Sequence, residues 1–364
     1  MSLNFFRDQI GVLNNFYDVT IISSSSEQLQ EIAEREGVEF KGIEMKRDIS
    51  LLKDLKSLFK LIYFFFKERP KVIHCNTPKA SLLGLLAAYI TKVPNRIYYI
   101  HGLRYEGTMG LKRKLLVAME KLSCFCATDI IAVSFGVKEI AMRELTSKPI
   151  TVIHNGSANG MFIDEFVNNE YDVFEIRKKL NINHNDFVYG FIGRVVSDKG
   201  INELISSFEK INEDIKNIKL LLVGRYENEL DPLNNETKSI IENNKNIIEV
   251  GFQKDVKPFL VMMDVFVSPS YREGFGLTLL EANLMGKPVI ASNITGYSEI
   301  IKEGKNGFFV NARDKISLTN KMKYVYENKK MLISMKSNCL NMIKEKYNHK
   351  EVLNEAINYY KKFI

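Results

Sequence analysis

"VFVSPSYREGFGLTLLEANLMGKPVIAS", Val265–Ser292, is the stretch on which the fold turns. "VFVSPS" is an apolar β-type run that ends in small polar residues. A helix is expected from about Gly276 to Met285, with Gly286 just past its end and Pro288 behind it. "KPVIAS" then opens a second strand. Neither strand alternates apolar with polar residues. Both are therefore expected to be covered on two faces, as in a parallel sheet flanked by helices.

The same order fills the chain on either side. Before it come the strand-like runs "DFVYGFIGR" (Asp186–Arg194), "IKLLLVG" (Ile218–Gly224) and "NIIEVGF" (Asn246–Phe252), with helical stretches between. An earlier series contains "FYDVTIISS", "PKVIHCNT", "RIYYIHG", "TDIIAVS" and "PITVIHNG". "KASLLGLLAAYITKV" (Lys79–Val93) is apolar on nearly all sides and is expected to be a buried helix. Two series of strands and helices predict two doubly wound Rossmann-like α/β domains, with ligands beyond the carboxyl ends of the strands and in a central cleft. The polar, Gly-rich segment "GSANGMFIDEFVNNEYD" (Gly156–Asp172) interrupts the rhythm. The expected domains are residues 1–165 and 166–345, with residues 346–364 as a terminal helix that packs back on the first domain.

With 364 residues and 26% charged residues, the chain is long enough for two cores and is not of disordered composition. The net charge of +7 suits an anionic ligand or an acidic membrane surface, and equally an ordinary solvated surface. Four cysteines without a C-x-x-C pair, and only five histidines, argue against a disulfide framework or a structural zinc site. The expected setting is a reducing cytoplasm. No apolar run approaches the roughly 20 residues of a membrane span.

Four places after strands can carry chemistry. The opening stretch has Glu273 just before its helix and Glu281 within it. On one continuous helix these would stand about 12 Å apart along the axis, whereas a retaining glycosidase needs carboxyls about 5–5.5 Å apart. The pair therefore reads as two contacts at a binding end, with the N–H groups of Gly274, Phe275 and Gly276 at the positive end of the helix. Taken singly, each glutamate is also an ordinary helix carboxylate. "GRVVSDKG" sets Gly193, Arg194 and Lys199 beside another helix start, a diphosphate site or plain surface charge. His101 ends a first-domain strand, where it is structural or a hydrogen-bond partner for a sugar-like hydroxyl. "GLKRKLLVAMEKLSCF" (Gly110–Phe125) combines Lys112, Arg113, Lys114 and Lys121 with leucines and a methionine at helical spacing. It reads as a membrane-surface helix or a packed helix with a wet face. "ISLLKDLKSLFKLIYFFFKERPK" (Ile49–Lys71) adds further lysines beside bulky aromatics.

Together these motifs resemble the retaining GT-B glycosyltransferases of family 4. "EGFGLTLLE" matches that family's E-x7-E element and "GRVVSDKG" its phosphate-binding Arg and Lys. "HCNTPKASLLGLLAA", "IHGLRYEGTMGLKRKLL" and "VIHNGSANG" look like its capsule, O-antigen and lipid-linked oligosaccharide enzymes. The similarity spans almost the whole chain. It implies that Gly193, Arg194 and Lys199 meet the diphosphate of a nucleotide sugar, most often UDP, and that Glu281 holds the ribose. Glu273, with the amides of Gly274, Phe275 and Gly276, would hold the donor sugar, and His101 would contact it near the reacting carbon. The catalytic set is then His101, Arg194, Lys199 and Glu273.

The acceptor would be a glycan, often polyprenyl-diphosphate-linked, bound to the first domain at the inner face of the plasma membrane, with Lys112, Arg113 and Lys114 on that side. The family's usual account is front-face displacement, in which the leaving phosphate takes the acceptor proton. With no Asp-x-Asp in a plausible metal-binding position, neither a metal ion nor a resident cofactor is expected, nor is nucleic acid as a partner. Family members open with a strand and a Gly-rich loop. "MSLNFFRDQIGVLNNF" reads as the helix that follows them, so the first strand is expected to be missing, with Ser2 and Asn4 nearest the loop. The competing readings are a UDP-sugar 2-epimerase of the same fold, which needs an acid/base set in the cleft, and a two-domain sugar-binding protein.

Overall fold

A computed structural model of the chain describes residues 6–45, 50–167, 171–227, 229 and 231–363. Ser2, Asn4 and Ile49 lie outside them. The chain divides into two compact units, Met1–Gly160 with His349–Ile364, and Met161–Asn348. The division falls a few residues before the 165/166 boundary read from the sequence. Its physical marker is Met161, whose N–H donates to Tyr347 O at 2.7 Å and so ties the start of the second unit to its end.

The first unit contains β1 (Thr20–Ser23), β2 (Glu39–Gly42), β3 (Val72–Cys75), β4 (Asn95–Ile100), β5 (Asp129–Ala132) and β6 (Ile150–Thr151). All its pairings are parallel: β1 with β2, and β3-β4-β5-β6 as a four-stranded sheet. Ile97, Tyr98, Tyr99 and Ile100 of β4 are buried. Helix Pro78–Ile90 begins on a proline, whose missing N–H costs nothing in a first turn. It buries Ser81, Leu83, Gly84, Leu85, Ala87 and Ala88, while Tyr89 and Ile90 at its end stay exposed. The terminal helix His349–Lys361 belongs to this unit: Tyr17 Oη donates to Tyr360 O at 2.6 Å, and Lys362 Nζ to Asp129 Oδ1 at 2.9 Å.

The second unit contains β7 (Phe187–Ile192), β8 (Ile218–Val223), β9 (Ile247–Gly251), β10 (Val265–Ser268), β11 (Val289–Ser292) and β12 (Gly307–Val310). They form one parallel sheet in the order β12-β11-β10-β7-β8-β9. This is the doubly wound arrangement, and the order reverses between β7 and β10. Helix Ile201–Asp214 covers the sheet with Ile201, Leu204, Ile205, Phe208 and Ile211, all buried at helical spacing. Burial of each such side chain contributes roughly 1.5–3 kcal/mol. Among the described residues, no helix is long and apolar enough to cross a membrane.

Candidate active site

Neighbouring strands bring their following loops together. β10 pairs with β7, and Lys199 from the loop after β7 forms an ion pair with Glu273 from the loop after β10. Their side chains are 17% and 21% exposed, so the pair is mostly shielded from water. Two more groups reach the same Oε1 of Glu273: Tyr297 Oη at 3.3 Å and Ser270 Oγ at 3.4 Å. Tyr297 is buried and also meets Ser268 Oγ at 2.6 Å. Its phenol is held protonated by burial first and then by the charge of Glu273. Arg194 lies on the other side, where β8 adjoins β7, and its Nη1 meets Glu227 Oε2 at 2.7 Å. The two cations expected to share one anion each hold a carboxylate, and Glu227 also has Arg225 at 3.8 Å.

The loop carrying Glu273 is fixed through its backbone. Gly296 N–H donates to Glu273 O at 3.2 Å. A Cβ on Gly296 would lie 2.7 Å from that oxygen and 2.8 Å from Phe275 N, so only glycine lets the two segments approach this closely. Helix Leu277–Leu284 follows with Gly276 at its cap position. Among the described residues, the N–H groups of Gly274, Phe275 and Gly276 make no backbone hydrogen bond, which leaves three donors at the positive helix end. Phe275 points away from them, edge-on to Tyr347 at 5.5 Å. The loop after β7 is fixed in the same manner. Gly200 adopts φ +69°, and a Cβ there would strike Pro269 O at 2.1 Å.

Glu281 lies within the helix, away from the Lys199–Glu273 pair. Burial lifts its carboxyl to about 7, partly offset by Lys257. Among the described residues, no side chain or backbone group hydrogen-bonds to it. A half-buried carboxyl without such a partner is costly unless something else satisfies it.

His101 belongs to the first unit. Its ring stacks on Tyr99 at 4.3 Å, Phe6 stands edge-on at 5.6 Å, and Nε2 lies 3.3 Å from Asn76 Oδ1. Burial, and secondarily His74, push its imidazole down to about 3, so the ring is neutral at ordinary pH. The three basic residues expected on the membrane side, Lys112, Arg113 and Lys114, are all exposed. Arg113 is committed to the protein: it pairs with Glu144 at 2.7 Å and covers the Tyr105 ring at 5.2 Å. Leu111, Leu115 and Leu122 of the same helix are exposed, not packed, and the helix is anchored by Glu120, Ser123, Cys124 and Cys126.

The residues that sequence reasoning missed are Tyr297, Gly296, Ser270 and Glu227 in the second unit and Asn76 in the first. Each follows a strand at a position comparable to those already singled out. "NITGYSE" after β11 repeats the pattern of a strand followed by glycine and polar residues. Among the described residues, no group of three or more His, Cys, Asp or Glu is arranged to hold a metal.

Known proteins share this architecture. The profile described as Glycosyltransferase Family 4 matches residues 12–157, and that described as Glycosyl transferases group 1 matches residues 172–342. The Staphylococcus aureus capsular polysaccharide biosynthesis glycosyltransferase CapM is 37% identical over 100% of this chain and 95% of its own length. The chain belongs to the family 4 glycosyltransferases. This transferase is also 31% identical, over 92% of its chain and 86% of the relative, to the Escherichia coli UDP-Gal:alpha-D-GlcNAc-diphosphoundecaprenol alpha-1,3-galactosyltransferase. The transferase superimposes on the UDP complex of Anabaena Alr3699/HepE with a TM-score of 0.79, at 19% identity over 100% of this chain and 97% of that one. That likeness is one of fold, and the fold of the transferase is GT-B.

Proposed function

We propose that this transferase moves a sugar, with retention of configuration, from a UDP-sugar to a polyprenyl-diphosphate-linked glycan in surface polysaccharide synthesis. The observation that carries the reading is the Lys199–Glu273 pair, which brings a cation and a carboxylate together at the strand-order reversal of the second unit. Lys199 and Arg194, beside Gly193, meet the diphosphate and stabilise the charge that grows on the leaving phosphate. Glu273 and the N–H groups of Gly274, Phe275 and Gly276 hold the sugar hydroxyls, Glu281 holds the ribose, and His101 contacts the donor sugar during transfer. The leaving phosphate takes the acceptor proton, and these cations do the work that a metal ion does elsewhere. The S. aureus and E. coli relatives, one named for capsule synthesis and the other for a diphosphoundecaprenol acceptor, support this choice of acceptor.

A lipid-linked acceptor stays in its bilayer, so the enzyme must dock there, at the inner face of the plasma membrane. Helix Leu51–Glu68 favours this. It buries Ser57, Leu61 and Phe65 and leaves Leu52, Leu55, Phe59, Tyr63 and Phe66 exposed along one stripe. Lys53, Lys56, Lys60 and Lys67 flank that stripe, while Asp54 is tied to Lys79 at 2.5 Å. An apolar stripe rimmed by lysines suits an anionic lipid surface. Lys112 and Lys114 add to it.

The test is incubation with labelled UDP-sugars and short-chain polyprenyl-diphosphate N-acetylglucosamine, followed by extraction and NMR of the product. A glycolipid whose new linkage keeps the donor's anomeric configuration is expected. An inverted linkage refutes retention. An epimerised free UDP-sugar without glycolipid indicates the epimerase instead, and a melting temperature that UDP leaves unchanged but a free sugar raises indicates a sugar-binding protein.

A further inference from the structure

His101 sits in a wall built by strand periodicity. β3 and β4 pair in parallel with His74 opposite Ile97 and Cys75 opposite Tyr98. Side chains alternate along a strand, so His74 and Asn76 on one strand line share a face with Ile97, Tyr99 and His101 on the other. Tyr99 stacks under the His101 ring, with 26° between the planes, and Phe6 closes its edge at 82°. His74 stands edge-on to Tyr99 at 5.8 Å and is itself held by Tyr360 Oη at 2.9 Å. These rings fix the plane of the imidazole but say nothing of where its proton resides. Asn76 supplies that. Its Oδ1 lies 3.3 Å from Nε2, and an amide oxygen only accepts. With Oδ1 turned to the ring, the contact is a hydrogen bond only in the tautomer that carries its hydrogen on Nε2 and its lone pair on Nδ1.

We propose that Asn76 is a positioning residue that fixes the tautomer and ring orientation of His101. The proposal rests on the reading of His101 as a donor contact, because the tautomer decides which ring nitrogen accepts from a sugar hydroxyl and which donates. A neutral ring is needed for this role. The titratable groups packed around it, His74, Tyr99 and through His74 Tyr360, are all driven by burial toward their neutral forms.

The experiment uses the full chain with 15N-labelled histidine. Long-range proton–nitrogen spectra report the tautomer, and the His101 signals are identified by their loss in His101→Gln. A single Nε2–H tautomer is expected in the parent. Asn76→Ala should show a mixture, with turnover about ten- to a hundredfold lower at a little-changed KM for the UDP-sugar. Asn76→Asp should keep the Nε2–H form and stabilise the imidazolium, which adds a loss of rate on acidification at roughly pH 4–6. An unchanged His101 tautomer in Asn76→Ala overturns the proposal. A changed tautomer with unchanged turnover upholds the role of Asn76 and instead removes His101 from the transfer step. Should Asn76→Ala fail to fold, Asn76→Asp decides: without the new acid limb, Asn76 does not govern His101.

Discussion

Lys199 and Glu273 are 74 residues apart in the chain and form an ion pair across the point where the strand order of the second unit reverses. The carboxylate that neutralises the lysine also accepts from Tyr297 and Ser270, so it is held from three directions before any substrate arrives. If Lys199 meets the donor diphosphate as proposed, its position is already set by its partner, which lowers the ordering cost of binding.

The two members of the pair should fail differently when removed. On the proposed reading, Lys199→Ala loses a charge-assisted contact to the diphosphate, worth roughly 1.5–3 kcal/mol, and it leaves Glu273 without its cation. UDP affinity by calorimetry is expected to fall about ten- to a hundredfold. Glu273→Ala is expected to lower turnover more than UDP affinity, because its proposed contact is with the sugar and not the nucleotide. A variant with weakened UDP binding but intact transfer would mean that the roles of Glu273 and Glu281 are exchanged.

Glu281 gives the transferase a pH signature near neutrality. Its folded carboxyl titrates at about 7 against an ordinary 4.5. Between those values the folded protein keeps a proton that the unfolded chain has released, so stability falls as pH rises through the window. Thermal melts of Glu281→Gln should show a shallower fall there than the parent. Ribose hydroxyls donate best to the ionised carboxylate, so UDP binding should tighten from pH 6 to pH 8 in the parent relative to Glu281→Gln. Parallel affinity curves for the two proteins would refute that contact.

Gly296 is a sensitive backbone position of the site. A methyl group there meets Glu273 O and the Gly274–Phe275 peptide at 2.7–2.8 Å, where nothing is free to move aside. Gly296→Ala is expected to cost about 1–3 kcal/mol of stability. It should also weaken donor binding, because the displaced segment carries the three N–H donors. Calorimetry and denaturant melts together check this. A variant with parental UDP affinity would mean that the loop is not fixed by this approach.

Vesicle flotation should separate the two basic helices. Replacing Phe59, Tyr63 and Phe66 by Ser is expected to abolish binding to anionic vesicles at low salt. Lys112→Gln with Lys114→Gln should weaken it by roughly 1 kcal/mol per charge, and less at high salt. Arg113→Gln should mainly lower the melting temperature, because its partners are Glu144 and the Tyr105 ring.

Strands with continuous apolar runs were legible in the sequence: β7, β8 and β10 each appear as the residues suggest. β2 was not, because Glu39–Gly42 is exposed throughout and carries no apolar run. β12, the edge strand Gly307–Val310, was not named either, because a lone apolar run inside a polar, Gly-rich stretch reads equally as a loop. The candidate residues were legible as types after strands, but their pairing was not. Lys199 meets Glu273 because β7 and β10 are neighbours, a property of sheet order that spacing does not encode. Helix Leu51–Glu68 is similar. Leu61 and Phe65 face inward while Phe59 and Phe66 face out, and residues this alike do not announce which face the protein will cover. Asn76 was passed over because a lone amide carries no motif, although His74-x-Asn76 and Tyr99-x-His101 share the period of a strand.

The terminal segment His349–Ile364 is counted with the first unit, and its Tyr360 reaches His74 within the wall that holds His101. Synthesis therefore cannot complete the first unit when its own sequence has left the ribosome. That unit has to wait, partly assembled, while the whole second unit is translated and folds. The same fact sets the rule for making hybrids between related transferases. Moving the first unit whole takes two cuts, near Gly160 and near His349, so that the tail travels with the unit it closes.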